Sequence, residues 1–458
     1  MSATLLNPVL LDRYGQKPLP RYTSYPPANL WHEATEELAI RALSSVGRRP
    51  LSLYIHIPFC HKLCLYCGCN MMVTQKQDLV ERYISALERE VERAVSFLPP
   101  IPIRPEIVQI HIGGGTPTYL SSAQLERVWR LLSSHFRIEK GIEASIEVHP
   151  PVTTHEQLEC LSSLGFNRIS MGVQDFDPIV QKRVNRPQPY EQTRDLIEAS
   201  RHLGFQSVNV DLMYGLPLQT TERFAHTLDC IQSLMPDRIA LFGYAHMPAI
   251  RKHQAVFLSS ELPDSKTRAA LFESALTRLL SLGYVYVGLD HFVLPGDELL
   301  AAREIGQLRR NFMGYTTCKQ SDVLAFGSSS ISEIGPYYFQ NARDVKPYCE
   351  HVEQNSLPVH RGYSLNRQDV IRRDLIMQLL CNLKLDFRAF SDEHGIAFRD
   401  FFANELQQLH ALCQDGLCKI EQDTLHILPP GQLLLRVVAS VFDETLSKPA
   451  PRHHAAAV

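Results

Sequence analysis

Hydrophobic and polar residues follow two different periods along most of this 458-residue chain. Short runs of β-branched and other apolar residues predict strands, and longer segments with an apolar residue every three or four positions predict helices. The strands are predicted at 51–57, 107–112, 144–148, 167–173, 207–213, 238–242 and 285–289. The helices between them are predicted at 77–98, 123–136, 190–203, 223–234 and 266–282.

This alternation of strands and helices predicts an α/β fold with a parallel sheet. Six or more successive units favour a barrel or partial barrel over an open doubly wound sheet. Polar residues and glycines follow directly after several of the predicted strands. Because the carboxyl ends of the strands form the active-site face of such a barrel, we expect these residues to meet there.

Three further parts of the chain flank this alternation: an N-terminal arm, a C-terminal domain and a tail. Residues 1–50 read as an irregular N-terminal arm that is stiffened by PRYTSYPP at 20–27. The catalytic barrel is predicted at 51–365, followed by a mostly helical C-terminal domain at 366–447 that contains one pair of strands near 418–428. The last residues, 448–458, are predicted to be a disordered tail.

Composition narrows the class of protein. Hydrophobic residues make up 45% and charged residues 21% of the chain, which is ordinary for a globular protein. A net charge of −3 gives no reason to expect nucleic acid or an anionic membrane as a partner. No segment resembles a signal peptide or a membrane span. Eleven mostly scattered cysteines suit a reducing compartment, so a cytoplasmic protein is expected, and nothing suggests more than a monomer.

Four cysteines within ten residues carry the strongest chemical signal. Cys60, Cys64 and Cys67 form C-x3-C-x2-C, and Cys69 follows. Three close thiolates can hold a [4Fe–4S] cluster and leave one iron open to a small molecule, which is the arrangement of a catalytic metal site. Taken alone, the spacing also allows half of a zinc site or a disulfide cluster. No second pair of ligands follows at a zinc-finger distance.

A glycine run, Gly113-Gly-Gly-Thr-Pro117, follows the predicted strand at 107–112. Glycines allow the backbone to approach a ligand without a clash from a Cβ atom. The run lacks the G-x-G-x-x-G spacing of a dinucleotide site, and a tight turn between a strand and a helix would explain it equally well. Beside a cysteine loop, it fits a cradle for the polar end of a small ligand.

The cysteine spacing, Tyr66 and the glycine run together resemble the radical S-adenosylmethionine (SAM) superfamily. Further motifs resemble one family in it, the oxygen-independent coproporphyrinogen III oxidases, over about residues 10–445. These motifs are PRYTSYP at 20–26, YIHIPFC at 54–60, CGCN at 67–70, RISMGVQDF at 168–176, VNR at 184–186, DLMYGLP at 211–217, YAHMP at 244–248, DHF at 290–292, NFMGYTT at 311–317 and RRD at 372–374.

The resemblance implies a site residue by residue. Cys60, Cys64 and Cys67 would bind one [4Fe–4S] cluster, and Cys69 would lie near it without binding iron. Two SAM molecules would be bound in adjacent sites, with Tyr66 helping at the second. The residues implied for SAM binding are Tyr54, Tyr66, Gly114, Gly115, Thr116, Glu147, Gln174, Arg186, Asp211, Ala245 and Ile331.

The resemblance also implies an oxidoreductase of haem and porphyrin biosynthesis. Its reaction would convert two propionates of coproporphyrinogen III to vinyl groups, giving protoporphyrinogen IX, through a 5′-deoxyadenosyl radical from SAM. A low-potential, flavodoxin-like electron donor and an unidentified electron acceptor are expected partners. Arg21, Arg309 and Arg310 are candidates for binding the substrate carboxylates. The alternatives are a radical SAM haem chaperone, a haem-modifying relative, or a zinc-dependent regulatory or scaffold protein.

Overall fold

A computed structural model of the chain describes residues 8–15, 17–100, 103–318 and 321–447. The chain forms two compact units, each built from separate stretches of sequence. The first, called the sheet unit here, comprises His32–Gly283 and Gln320–Ser364. The second, called the helical unit, comprises Met1–Trp31, Tyr284–Lys319 and Leu365–Val458.

The sheet unit is built on seven parallel strands. In chain order they are β1 Leu51–Ile57, β2 Ile107–Gly114, β3 Ile138–Val148, β4 Arg168–Gln174, β5 Ser207–Tyr214, β6 Arg238–Gly243 and β7 Asp322–Phe326. Their order across the sheet is β7-β1-β2-β3-β4-β5-β6, and every neighbouring pair is parallel. The predicted parallel α/β fold is therefore confirmed.

The sheet continues beyond β7 as an antiparallel extension. The added strands are, in order, Ile331–Ile334, Tyr337–Asn341, Val359–Ser364 and the short His32–Glu33. Because β7 pairs with β1 on one side and with Ile331–Ile334 on the other, it does not close the sheet onto β6. The architecture is thus a partial barrel. A separate parallel pair, Phe59–Cys60 and Met72–Val73, frames the cysteine loop.

Helices precede, connect or follow the strands of the sheet unit. They are Glu36–Ser44, Gln77–Val95, Ser122–His135, His155–Ser163, Pro178–Arg183, Tyr190–His202, Thr221–Leu234, Ser265–Ser281 and Val345–Glu353. Local chemistry fixes their starts, as at Ser121, whose hydroxyl accepts from Gln124 N while the Gln124 side chain accepts from Ser121 N. In Gln77–Val95 the apolar residues at helical spacing are buried, as the pattern predicts.

Several parts of the sheet unit differ from the sequence prediction, which did not include the helices His155–Ser163 and Pro178–Arg183. Residues 1–50 are not irregular throughout, because Glu36–Ser44 is a helix that buries Leu38, Ala39, Ala42 and Leu43. The sequence prediction also missed β7 and the antiparallel strands after it. β7 is only five residues long and buried on both faces, so its apolar run carries no period of its own.

The helical unit has its own hydrophobic core. Its helices are Pro8–Leu10, Glu298–Glu304, Arg367–Asn382, Phe387–His394, Phe398–Phe401, Ala403–Gln414, Pro429–Leu433 and Leu435–Ser440. Its strands are Val285–Gly288, His291–Val293, Arg309–Asn311, Gly314–Thr316, Lys384–Asp386, Cys418–Glu421 and Thr424–Ile427. The strand pair predicted near 418–428 is therefore present, and the strand predicted at 285–289 forms a hairpin within this unit.

The division at 1–50, 51–365, 366–447 and 448–458 stays a prediction, and the tail at 448–458 lies outside the described residues. Among the helices that the structure describes, none has the length and apolar character needed to cross a bilayer.

Candidate active site

A cavity of about 420 Å³ lies at the carboxyl ends of the parallel strands in the sheet unit. Most of the residues predicted for the site line it. These are Cys60, Cys64, Tyr66, Cys67, Cys69, Gly114, Gly115, Thr116, Glu147, Gln174, Arg186 and Asp211. Residues as far apart in sequence as Cys60 and Asp211 therefore converge, because parallel strands bring their carboxyl ends to one edge.

The cysteine loop is held by hydrogen bonds to its backbone. Leu65 N donates to Val184 O at 2.9 Å, and Asn185 Nδ2 donates to Leu63 O at 2.8 Å. On the other side, Gln254 Nε2 donates to Tyr66 O at 2.9 Å. Since these contacts use backbone atoms, they fix the path of the loop and leave the thiols facing the cavity.

The thiols of the loop have different surroundings. Burial raises the pKa of the Cys60 thiol to about 11, although Thr116 Oγ1, 3.5 Å from its Sγ, opposes the shift. The hydrogen bond from Cys69 lowers the pKa of Cys67. Arg186 Nη1 donates to Cys64 Sγ at 3.4 Å, which places a positive charge beside this thiol. Iron binding would complete the deprotonation, since the thiolate is the metal ligand.

The donor set fits an iron–sulfur cluster. Thiolates are the ligands that such clusters use, and in a [4Fe–4S] cluster each thiolate binds a different iron. A single zinc ion instead needs three or four side chains converging on one point. Within 8–15, 17–100, 103–318 and 321–447, no three His, Cys, Asp or Glu side chains converge in that way.

The glycine run brings β1 and β2 unusually close. Gly114 has a φ of +126°, and a Cβ atom there would lie 2.7 Å from Ile57 O. A Cβ atom at Gly115 would lie 2.9 Å from Phe59 O. Gly115 N donates to Ile57 O at 2.8 Å, which ties the turn to the start of the cysteine loop. Gly114 and Gly115 are required because the neighbouring backbone leaves no room for a Cβ atom. The same residues form the tight turn and would form the ligand cradle, so the structure does not choose between these two explanations.

Two carboxylates line the cavity with opposite pKa shifts. Burial alone would raise the pKa of Glu147, but His111 and the N–H of Gly114, 2.9 Å from Oε2, hold it below its usual range. Burial and the nearby Glu147 raise the pKa of Asp211 to about 7. Asn209 Nδ2 donates to Asp211 Oδ1 at 2.7 Å. Glu147 is therefore an acceptor, whereas Asp211 can accept or donate near neutral pH.

Gln174 and Arg186 form the far wall of the cavity. Gln174 has a φ of +74°, a left-handed conformation that is uncommon outside glycine. Arg186 Nη2 donates to Gly172 O at 2.5 Å. Gln174 Oε1 and Arg186 Nε are buried and have no hydrogen-bond partner among the described residues. Buried polar atoms without partners are costly, so this wall suits a polar ligand such as SAM.

Three predicted residues do not line this cavity. Tyr54 lies on β1 beside it, stacked on His111 and hydrogen-bonded to His56 Nδ1 at 3.0 Å. Ala245 follows β6, and Ile331 begins the first antiparallel strand. Conversely, the cavity is also lined by residues that the sequence reading missed, among them His61, Lys62 and His149. His149 could have been found, since it follows β3 two residues after Glu147.

The candidate substrate arginines lie in the helical unit. Arg21 forms an ion pair with Asp290, and Arg310 Nη1 donates to the backbone oxygens of Arg21 and Tyr22 at 3.1 and 3.3 Å. Burial lowers the pKa of Arg310. Arg309 is the neighbouring residue on the same strand, Arg309–Asn311, and its side chain therefore alternates to the other face. Arg21 and Arg310, two of the three candidates, therefore lie close together.

The fold and the cavity define the class of protein. The family model described as the radical SAM superfamily matches residues 54–231, and the HemN C-terminal domain matches 365–434. The chain is 43% identical over 442 residues to the oxygen-independent coproporphyrinogen III oxidase of Salmonella typhimurium, covering 96% of each chain. It is 40% identical to that of Pseudomonas aeruginosa, covering 93% of each.

A solved structure agrees with these relatives. The chain is similar to the radical SAM enzyme coproporphyrinogen III oxidase from Escherichia coli, with a TM-score of 0.88 and 41% identity over 93% of this chain and 97% of that one. The chain is thus a radical SAM protein, with the SAM and [4Fe–4S] cofactors of that class. Within it, the chain belongs to the family of oxygen-independent coproporphyrinogen III oxidases.

Proposed function

We propose that this chain catalyses the oxidative decarboxylation of coproporphyrinogen III without oxygen. Two propionate side chains become vinyl groups, and the product is protoporphyrinogen IX, a precursor of haem. The observation that carries the proposal is the 43% identity to an enzyme of that name over 96% of both chains. The cavity supports it, because it gathers thiols, the Arg186 cation and carboxylates in the sheet unit.

Cys60, Cys64 and Cys67 would hold the cluster, and Cys69 would lie beside it without binding iron. When bound, the cluster and SAM supply a 5′-deoxyadenosyl radical that removes a hydrogen atom from the β-carbon of a propionate. The loop backbone, pinned by Val184 and Asn185, would hold the three thiolates in place before the cofactors bind.

The remaining wall residues would bind and orient SAM. Arg186, a half-buried cation whose buried Nε has no partner among the described residues, would pair with a carboxylate. Glu147 and Asp211 would accept from an ammonium or from hydroxyl groups. The other residues proposed to contact SAM are Tyr54, Gly114, Gly115, Thr116, Gln174, Ala245 and Ile331. Two SAM molecules are proposed, with Tyr66 contributing to the second.

The substrate carries four carboxylates and needs cationic partners, for which Arg21, Arg309 and Arg310 are proposed. In each decarboxylation one hydrogen atom is removed, CO2 leaves, and one electron remains to be passed on. That electron would go to an acceptor that is not identified. A low-potential, flavodoxin-like protein is the proposed electron donor. The chain is proposed to act as a monomer.

Anaerobic turnover tests the function. Reconstituted protein would be mixed with SAM, a low-potential reductant, an electron acceptor and coproporphyrinogen III, and the tetrapyrroles then separated. We expect a three-carboxylate intermediate followed by protoporphyrinogen IX. SAM cleavage without loss of carboxylates would overturn the proposal in favour of a haem chaperone or a haem-modifying enzyme.

Alanine variants of the loop test the ligand set. We expect Cys60→Ala, Cys64→Ala and Cys67→Ala to lose the visible charge-transfer absorption of the cluster after anaerobic reconstitution. Cys69→Ala is the matched control from the same loop, and it should keep the absorption and the iron content of the unmodified chain. Loss of the cluster in Cys69→Ala, or its retention in Cys64→Ala, would contradict the assignment.

A further inference from the structure

His149 is a cavity residue to which neither the motifs nor the family resemblance gives a role. It follows β3 directly and precedes the short turn of helix Pro150–Val152. Its backbone oxygen is used locally, accepting from Val152 N and Thr153 N at 3.0 and 3.1 Å. The side chain is different, because Nε2 is buried and has no hydrogen-bond partner among the described residues. A buried ring nitrogen of this kind is costly unless a bound molecule satisfies it.

The imidazole of His149 is neutral in this setting. Burial lowers its pKa to about 3, and the positive charge of the nearby Arg186 adds to the effect. A neutral imidazole offers one donor and one acceptor and no charge. It therefore suits a neutral polar group, such as a ring nitrogen, an amino group or a hydroxyl. A carboxylate would bind more strongly to the positively charged Arg186 than to a neutral imidazole.

Apolar residues also line this cavity. Pro151, Val152, Met213 and Phe242 line the same cavity as His149. An apolar wall with one or two placed polar groups is typical of a site for a flat ring system. Of the two ends of SAM, the adenosine has such a ring and neutral hydroxyls, whereas the methionine end is charged.

We propose that His149 hydrogen-bonds the adenosine half of SAM through Nε2, as a binding residue additional to those implied by the family motifs. This inference rests on the proposed function, because it takes SAM as the occupant of the cavity. Arg186 and the carboxylates then bind the charged groups, while His149 and the apolar wall select the nucleoside.

Equilibrium dialysis of the reconstituted, unreduced holoprotein tests the proposal, because SAM is not cleaved without reduction. The probes are SAM, 5′-deoxyadenosine and methionine. His149→Phe keeps a ring of similar size without nitrogen, and His149→Gln keeps a side-chain amide that can donate and accept. His155→Gln removes an exposed histidine outside the cavity and is the control. Visible absorption confirms that each variant carries its cluster.

Loss of one hydrogen bond should weaken SAM binding about tenfold in His149→Phe. The same loss is expected for 5′-deoxyadenosine, and methionine binding should stay unchanged. His149→Gln should recover part of the affinity. If His149→Phe does not hold its cluster, the comparison is made between His149→Gln and the unmodified chain. SAM affinity within twofold of the unmodified chain, or an equal loss for methionine, would overturn the proposal. Failure of the unmodified holoprotein to bind SAM would instead overturn the proposed function.

Discussion

Glu90 is a buried carboxyl whose ionisation should make stability depend on pH. It lies on Gln77–Val95, only 3% exposed, where it accepts three hydrogen bonds. Asn341 Nδ2 donates to Oε1 at 2.5 Å, and Gly327 N and Tyr348 OH donate to Oε2 at 2.8 and 2.5 Å. Burial outweighs these donors and raises its pKa to about 7.

The sign and size of the effect follow from linkage. A carboxyl whose pKa is higher in the folded than in the unfolded state contributes stability that is present at low pH. That stability is lost as the pH rises through the folded-state pKa. With an unfolded value of 4.5 and a folded value of about 7, about 2 kcal/mol is lost between pH 5.5 and 8.5.

Glu90→Gln removes the ionisation. At pH 5.5 we expect the variant to be less stable by about 1–3 kcal/mol. The reason is that the side-chain N–H of the glutamine would point at one of the groups that donate a hydrogen bond to Glu90 in the unmodified chain. This deficit should shrink by about 2 kcal/mol at pH 8.5, where the unmodified chain carries a buried charge. Anaerobic urea unfolding followed by circular dichroism would measure both differences.

Glu92→Gln is the control, since it removes an exposed carboxylate from the same helix. Its free energy of unfolding should stay within about 0.5 kcal/mol of that of the unmodified chain at both pH values, as is usual for surface substitutions. A Glu90→Gln deficit that stays constant within about 0.5 kcal/mol, or grows toward pH 8.5, would refute the reasoning.

Three further predictions follow from the same structure. Gly114→Ala should lower the Tm and the cluster content, because its Cβ would lie 2.7 Å from Ile57 O, whereas Gly68→Ala meets nothing within 4 Å and should keep both. Asp175→Asn should weaken SAM binding by displacing the adjoining wall, because an amide N–H would face the N–H and O–H donors that now bind the buried carboxylate. Unchanged SAM affinity would contradict this. Tyr14→Phe loses the hydrogen bond to Asp415, so limited proteolysis should cut the segment before residue 17 faster, and equal cleavage rates would count against that anchor.

The sequence predicts those parts of the fold and site that depend on local patterns. Strands β1 to β6 carry apolar runs bounded by turns, and the polar residues after them meet because parallel strands share one edge. The spacing of Cys60, Cys64 and Cys67 is likewise local. Each of these signals lies within a short stretch of chain.

The missed features depend on contacts between distant residues. β7 is a five-residue strand in which four apolar residues follow Asp322, and only its pairing with β1 identifies it. The position of His149 after β3 is a local signal, but its proposed role is not, because that role depends on the burial of Nε2 and on the absence of a partner for it among the described residues. The need for Gly114 to lack a Cβ follows from Ile57 O on the neighbouring strand.

The pairing of β7 with β1 has a consequence for how the chain matures during synthesis. Ser52 on β1 and Ser321 beside β7 are hydrogen-bonded although 269 residues separate them. At ribosomal rates that separation takes about 15–50 s to synthesise. During this time one edge of β1, the strand that leads into the cysteine loop, has no partner and is open to wrong pairing. Stable loading of iron is therefore expected only after β7 has left the ribosome, so truncation before residue 322 should leave a chain that aggregates and holds no cluster.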